Sequence, residues 1–286
     1  MNSGASVPGR LADFLRLDGA NRPHSLAVPT LAPADASWVV AAWHGHDAIG
    51  PAPGSSSPIP SQYWVDVLAA QSDLSAALGQ PATLTTRDAD GHRVTRSGLV
   101  ASVERRGGDH LMVRHRLQLV PWTWLLGQGR RSRVFQDCTV LAMVDSVLAA
   151  YAPWAAWHMA DDVAPFLADR HARSYCVQYR ESDADFLSRL LADEGLGLRL
   201  EEAPEAPAGH RLVVFAESGA LPSVPAGPAG IRFHRGNSAE LADAVQTLGA
   251  LQALGSTALT LLGTDYRTMA AVTASTPLGA GNDTTA

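Results

Sequence analysis

Leu119-Val-Pro-Trp-Thr-Trp-Leu-Leu126, Ser132-Arg-Val-Phe-Gln-Asp137, Tyr175-Cys-Val-Gln-Tyr-Arg-Glu-Ser-Asp183 and Phe186-Leu-Ser-Arg-Leu-Leu-Ala-Asp-Glu-Gly195 follow one another through the middle of the chain. Just upstream, Leu111, Val113, His115, Leu117 and Leu119 alternate with Arg114, Arg116 and Gln118, the pattern of a strand with one buried and one wet face. Residues 81–87 and 93–104 read as two further strands of the same meander, separated by Asp88-Ala-Asp-Gly91 and followed by Gly107-Gly-Asp109, where hairpin turns need positive φ. Residues 37–43 and 63–68 add two more, on either side of the breaker-rich Pro51-Ala-Pro-Gly-Ser-Ser-Ser-Pro-Ile-Pro60.

Beyond Pro121 the period changes. Val140, Val144, Val147 and Tyr151 recur at helical spacing, with Thr139 as N-cap and Pro153 as the stop. Ser182 and Asp185 form a capping arrangement for a second helix, in which Phe186, Leu187, Leu190 and Leu191 share a face and Gly195 supplies the left-handed end. Residues 196–201 and 210–216 then read as a hairpin over the turn at 203–209. Residues 231–234, 243–247 and 257–262 have strand character, although 239–254 is equally compatible with helix.

Composition narrows the function classes. The 286 residues are 46% hydrophobic and 17% charged, enough for a substantial core in one large or two smaller domains. All 22 basic residues are arginine, the net charge is -6, and no concentrated basic face is expected for nucleic acid. Arg130-Arg131-Ser132-Arg133 reads as a solvated loop. Cys138 and Cys176 lie too far apart in sequence for a CxxC site and imply no disulfide framework, in keeping with a reduced cytoplasmic protein. Residues 1–17 lack the apolar region of a signal peptide. The longest apolar run, 147–157, is interrupted by Pro153 and falls short of the roughly 20 residues a membrane helix needs, so no stable membrane insertion is expected.

The residues that invite chemistry have plainer readings. His44-Gly-His46-Asp47 approaches an HxHxDH zinc motif, but Asp47 comes one residue early and Ala48-Ile49 follow, so the spacing fails and a turn with solvent-facing imidazoles is expected. Gly127-Gln-Gly129 lacks the third glycine of a dinucleotide fingerprint, and a chain without lysine has no P-loop. Cys176, inside an aromatic strand-like stretch, reads as a buried small hydrophobe. Glu181, Asp183 and Asp185 are explained by helix capping and dipole complementarity. Trp122 and Trp124, two apart on an extended segment, are expected to face one side, toward a core or a subunit interface. Asn282-Asp-Thr284 matches a glycosylation sequon by chance. No catalytic residue, cofactor or metal ligand is assigned, and the chain is read as non-enzymatic.

The four central blocks, in that order and spacing, resemble the N-terminal region of the VgrG family, the spike-tip proteins of type VI secretion systems, whose relatives are the baseplate hubs of contractile phage tails. Val67-Leu-Ala69, Leu78-Gly-Gln-Pro-Ala-Thr-Leu84, Arg232-Phe-His-Arg235 and Asp265-Tyr-Arg267 extend the likeness to residues 37–275. The resemblance implies a mainly β fold with α+β insertions: two small antiparallel β-barrels of the phage tail-hub type, the second incomplete. On that basis residues 1–36 are a poorly defined N-terminal segment, 37–125 a first barrel, 126–202 an α+β region, 203–276 a second, incomplete barrel, and 277–286 a disordered tail. It further implies a structural hub that adapts the hexameric Hcp tube to a trimeric tip, with effector or spike-tip proteins as further partners. Such a protein is cytoplasmic before assembly and secreted through the type VI apparatus without a signal peptide. The chain is expected to be truncated relative to full family members, lacking the OB-fold and needle that follow there, and so to trimerise poorly alone. A phage or prophage baseplate hub is the alternative reading, and a secreted hydrolase-type effector a second.

Overall fold

The computed structural model describes residues 23–31, 38–48, 57–70, 73–87, 91–108, 112–217, 219, 233, 245, 247–249, 257–265 and 268–277. The chain divides into two compact units, Met1–Ala226 and Gly227–Ala286.

The first unit begins with a six-stranded, wholly antiparallel sheet. Its strands are β1 (His24–Ala27), β2 (Trp38–His46), β3 (Gln62–Ala69), β4 (Pro81–Arg87), β5 (Arg93–Gly108) and β6 (Val113–Val120), in the order β1-β4-β5-β6-β3-β2. The alternation in β3 and β6 sets the register: Tyr63, Val65, Val67 and Ala69 lie opposite Leu119, Leu117, His115 and Val113, all buried on one face. A slip of one residue would turn this whole set to water. On the outer face Asp66 accepts a bidentate pair from Arg116 at 2.6 and 2.9 Å, and the bonds from that guanidinium hold the Asp66 carboxyl below its usual range.

Irregularities at Val40/Ala42, Val100/Ser102 and Arg105/Gly107 add curl, and the sheet nearly closes on itself. The two end strands meet through side chains. Trp38 Nε1 of β2 donates to the Leu26 carbonyl of β1 at 3.0 Å, and the His24 and Trp43 rings meet edge-on at 6.2 Å.

A second core packs beside the barrel. The ribbon of β7 (Arg130–Cys138) and β9 (Arg173–Ser182) carries helices α1 (Val140–Leu148), α2 (Val163–Phe166) and α3 (Asp183–Glu194). A small sheet of β8 (Trp157–Met159), β10 (Gly197–Glu202) and β11 (His210–Phe215) completes it, with β8 parallel to β11. Ile59, Leu99 and Trp122, next to or within barrel strands, belong to this second core. Both expected N-caps are present: the Thr139 hydroxyl accepts from the Ala142 amide at 3.2 Å, and Ser182 from the Asp185 amide at 3.0 Å. Gly195, at φ 78°, ends α3, and the Leu196 amide returns to the Leu191 carbonyl at 2.8 Å. Phe186, Leu187, Leu190 and Leu191 are all buried, and the Phe186 ring stacks on Phe135 at 5.6 Å.

Several expectations need correction. Residues after Pro121 are not extended: Trp122–Gly127 is a 3-10 turn, started by a Trp124 amide to Pro121 carbonyl bond of 2.9 Å. A repeat of three residues per turn separates the two indoles, so Trp122 is fully buried while Trp124 is half-exposed. Arg130 to Arg133 lie in strand β7 rather than a loop. Helix α1 stops at Leu148 and tightens into a 3-10 turn, Ala149–Tyr151, two residues before Pro153.

In the second unit β12 (Ala258–Asp265) and β13 (Ala270–Pro277) form an antiparallel hairpin, and Phe233 and Val245 form a single parallel bridge. Most of residues 231–234 and 243–247 lie outside the described residues, as do residues 278–286 of the expected tail, Asn282 among them, while Pro277 ends β13.

Phe186→Ala is expected to destabilise the protein by about 3 to 5 kcal/mol, since its ring is wholly buried and stacked. Guanidinium denaturation checks this, and an unchanged midpoint and slope would contradict the assigned packing.

Candidate functional site

The polar side chains concentrate where barrel and α+β layer meet. The β10-β11 hairpin closes over Gly209, at φ 78°, and a Cβ there would stand 2.6 Å from the Cβ of Ser97 on β5. Only glycine satisfies both the turn and the close approach. The turn brings in His210, 2% exposed, directly opposite Glu202 in the hairpin register. His210 Nε2 accepts the Trp122 amide at 3.0 Å, which places the ring proton on Nδ1, 2.9 Å from the Ala208 carbonyl. Ser97 completes the joint. Its Oγ lies 3.1 Å from the same Nδ1, and its amide donates to Glu202 Oε1 at 3.0 Å.

Electrostatics follow from burial. Desolvation depresses the His210 imidazole to about 4, against the opposing pull of the Ala208 carbonyl. Burial raises the Glu202 carboxyl, partly offset by its bond from Ser97. The joint borders a cleft of about 340 Å³ that also takes in Asp47, Tyr63 and Arg96. Tyr63 donates to Asp47, and burial together with this bond holds its hydroxyl protonated. Arg96 pairs with Asp47 at 3.7 Å and lies over the Trp43 ring at 5.1 Å.

Ser97 and His210 have the composition of a nucleophile and base without the protonation pattern. The nitrogen beside Ser97 carries the proton, and the other is occupied by a backbone amide, so the ring has no lone pair for the hydroxyl proton. The contact works as a structural joint.

A second joint centres on Asp183, the first residue of α3, 1% exposed. Its carboxylate accepts from Gln178 Nε2 at 2.7 Å, the Tyr151 hydroxyl at 2.8 Å and Arg133 at 3.1 Å, with Arg131 at 3.3 Å. Burial and the bond to Asp183 push the Tyr151 hydroxyl up to about 12. Asp183 therefore does more than cap a helix: it ties β7, β9, α3 and the turn after α1 together. Arg131 and Arg133 point to it, which is why the arginine run is a strand. Glu181 sits in β9 and pairs with Arg189 at 2.6 Å, whereas Asp183 and Asp185 both stand in the first turn of α3, where Asp185 also accepts from the hydroxyl of the N-cap Ser182.

The other singled-out residues are dispersed. His44 stacks on Trp64 at 5.1 Å and His46 tilts toward the same ring, both exposed, while Asp47 turns to Tyr63 and Arg96. Cys176 is buried opposite Phe135, and Cys138 is half-buried. Sequence reasoning missed Ser97, Glu202 and His210, which are up to 113 positions apart and carry no local motif. The hairpin reading of residues 196–201 and 210–216 brought the two strands together without a register, and the pairing of Glu202 with His210 emerges from the fold.

Asp183→Asn leaves the Arg133 guanidinium facing a neutral amide and is expected to cost about 3 to 5 kcal/mol in a chemical denaturation curve. For His210 the folded pKa lies below the unfolded one, so the unfolded chain takes up a proton that the native chain refuses. Stability therefore falls as pH drops from about 6.5 to about 4, by about 3 kcal/mol in all. Glu202, with its pKa raised, acts with the opposite sign, so the difference between wild type and His210→Gln across this window isolates the histidine. Parallel stability-pH curves for the two proteins would contradict the assignment.

Against known proteins, the chain is 30% identical over 139 residues to the type VI secretion system spike protein VgrG1b of Pseudomonas aeruginosa, covering 48% of this chain and 18% of that protein. It is 34% identical over 147 residues to VgrG4b of the same organism, covering 51% and 17%. The match thus spans less than a fifth of the length of these relatives. A solved E. coli type VI secretion component, described as structurally similar to the T4 bacteriophage tail proteins gp27 and gp5, superposes with a TM-score of 0.54 at 17% identity, over 69% of this chain and 50% of that one, a likeness of fold. Residues 57–285 match the phage tail baseplate hub (GPD) family. With the mainly β barrel fold and a match over most of its length, the chain belongs to that family.

Proposed function

We propose that this chain serves as the structural hub of a type VI secretion spike, seating a trimeric tip on the hexameric Hcp tube, with no catalysis of its own. The observation that carries this reading is the hub-family match across residues 57–285, supported by spike-protein relatives at about 30% identity. The geometry agrees in kind. A nearly closed barrel leaves few sheet edges open to stray pairing, and its polar clusters are consumed in holding layers together. In this reading three copies around an axis present six small barrels to a sixfold tube, the second barrel of each copy being drawn from residues after Phe215, since β11 belongs to the α+β layer. An effector or further spike protein sits above, and the assembly leaves the cell through the type VI apparatus.

A phage baseplate hub uses the same fold, and the family's own description favours keeping that reading beside the first. Neighbouring genes separate the two: Hcp and sheath genes accompany a secretion spike, capsid and tail-fibre genes a phage.

Mixing the purified chain with Hcp hexamers is expected to give a complex of three chains per hexamer in native mass spectrometry. Hexamers that remain free at micromolar concentrations of both proteins would contradict the proposal.

A further inference from the structure

Strand β5 is paired on both sides for only part of its length. Residues 93–99 run beside β4, whereas β6 joins the other side only from Leu99, opposite Val120, because the chain turns at Pro121 into the 3-10 segment. The place beside residues 93–97 where β6 would continue is thus vacated. The cleft of about 340 Å³ lies there, with Thr95, Ser97 and Pro121 in its lining.

Alternation fixes where the backbone groups of this stretch point. Val100 exchanges bonds with Gly79 and Gln80 on the β4 side, at 2.8 and 3.0 Å, so Thr95 and Ser97, of opposite parity, turn their N–H and C=O groups away from β4. The Ser97 amide agrees, since it reaches the Glu202 carboxylate of the other layer at 3.0 Å. Among the described residues nothing does the same for Thr95, whose N–H and C=O stand on the open edge of the cleft. An unpaired edge of this kind is a template for another strand.

Strand β10 supplies another part of the lining. Leu200 gives an apolar surface and Arg199 a donor, for its Nε is buried without a hydrogen-bond partner. The carboxylates of the cleft are already engaged, Asp47 by Tyr63 and Arg96, Glu202 by Ser97. A buried guanidinium N–H without an acceptor is costly, so the occupant that fits brings one. We propose that this edge takes up an extended segment of a partner protein, which adds to β5 as a strand beside residues 93–97 and sets a carboxylate on Arg199. Main-chain bonds to the strand edge supply affinity, and the carboxylate supplies selectivity. This contact is additional to those of the hub reading.

The test selects a display library of random seven-residue peptides against the full chain, each peptide long enough to span residues 93–97 at about 3.3 Å per residue. Enriched sequences are expected to carry an acidic residue among strand-forming ones. The tightest of them, made synthetically, protects the Thr95 amide from hydrogen exchange. N-methylation of the alternate amides that face β5 weakens its binding about tenfold or more, and N-methylation of the other set is tolerated. Thr95→Pro removes an N–H that the barrel does not use, so the denaturation midpoint holds while peptide binding falls by a similar factor. Arg199→Met weakens the acidic peptide about tenfold and its amide counterpart far less. A library that enriches no peptide, a bound peptide indifferent to N-methylation, or a folded Thr95→Pro variant that binds like wild type each overturns the proposal. Should Thr95→Pro fail to fold, the N-methylated peptides on the wild type still decide it. Self-association of the wild type that Thr95→Pro abolishes would give the edge to a second copy and overturn the partner.

Discussion

The neutral imidazole of His210 holds this molecule's first unit together. One ring nitrogen accepts the amide of Trp122 at the end of the barrel sheet, and the other donates within its own hairpin beside Ser97 of β5. Without it the Trp122 amide would be a buried donor lacking a partner, and a donor in that condition costs far more than the bond contributes when made. The adjoining Glu202 does the same for the Ser97 amide. Strand β5 leaves its β6 partner before residue 99, and the amide so exposed is satisfied by a side chain from the neighbouring layer instead of another strand.

This arrangement suits a part whose work is geometric. An adaptor between assemblies must keep its faces at fixed angles, and apolar packing alone specifies angle less sharply than directional bonds between layers. Asp183 plays the corresponding part inside the α+β layer, where one carboxylate on α3 orders four side chains from two strands and a turn. Both joints are built from residue types that also carry catalysis elsewhere. Here tautomer and charge pairing consume them.

Much of this fold was legible in the sequence because its determinants are local. The alternation of Leu117 and Leu119 with Arg116 and Gln118 fixes a face and a register, and β3 answers with Tyr63, Val65 and Val67. Ser182, Phe186, Leu190 and Gly195 spell out α3 from cap to cap. What was illegible depends on partners far away in the chain. Arg131 and Arg133 look like a solvated run until Asp183 is placed some 50 positions on. Trp122 and Trp124 look extended because nothing in Pro-Trp-Thr-Trp announces a 3-10 turn, and the turn is held by what surrounds Trp122. Strand β8 is three residues long and exists through its parallel pairing with β11. The candidate joint itself has no motif, since its members come from β5, β10, β11 and the turn after β6, and only the fold assembles them.

Native-state hydrogen exchange on the Ser97 and Trp122 amides tests most directly whether barrel and α+β layer form one rigid body. Their partners are side chains from the opposite layer, so they report the seam alone, while Val65 and Leu117 report the barrel interior. If the two layers act as one, the seam amides exchange with the free energy and denaturant dependence of global unfolding, as the barrel amides do. Exchange of Ser97 and Trp122 through a low-energy opening with little denaturant dependence, while Val65 and Leu117 stay protected, would show that the layers hinge and would contradict the account.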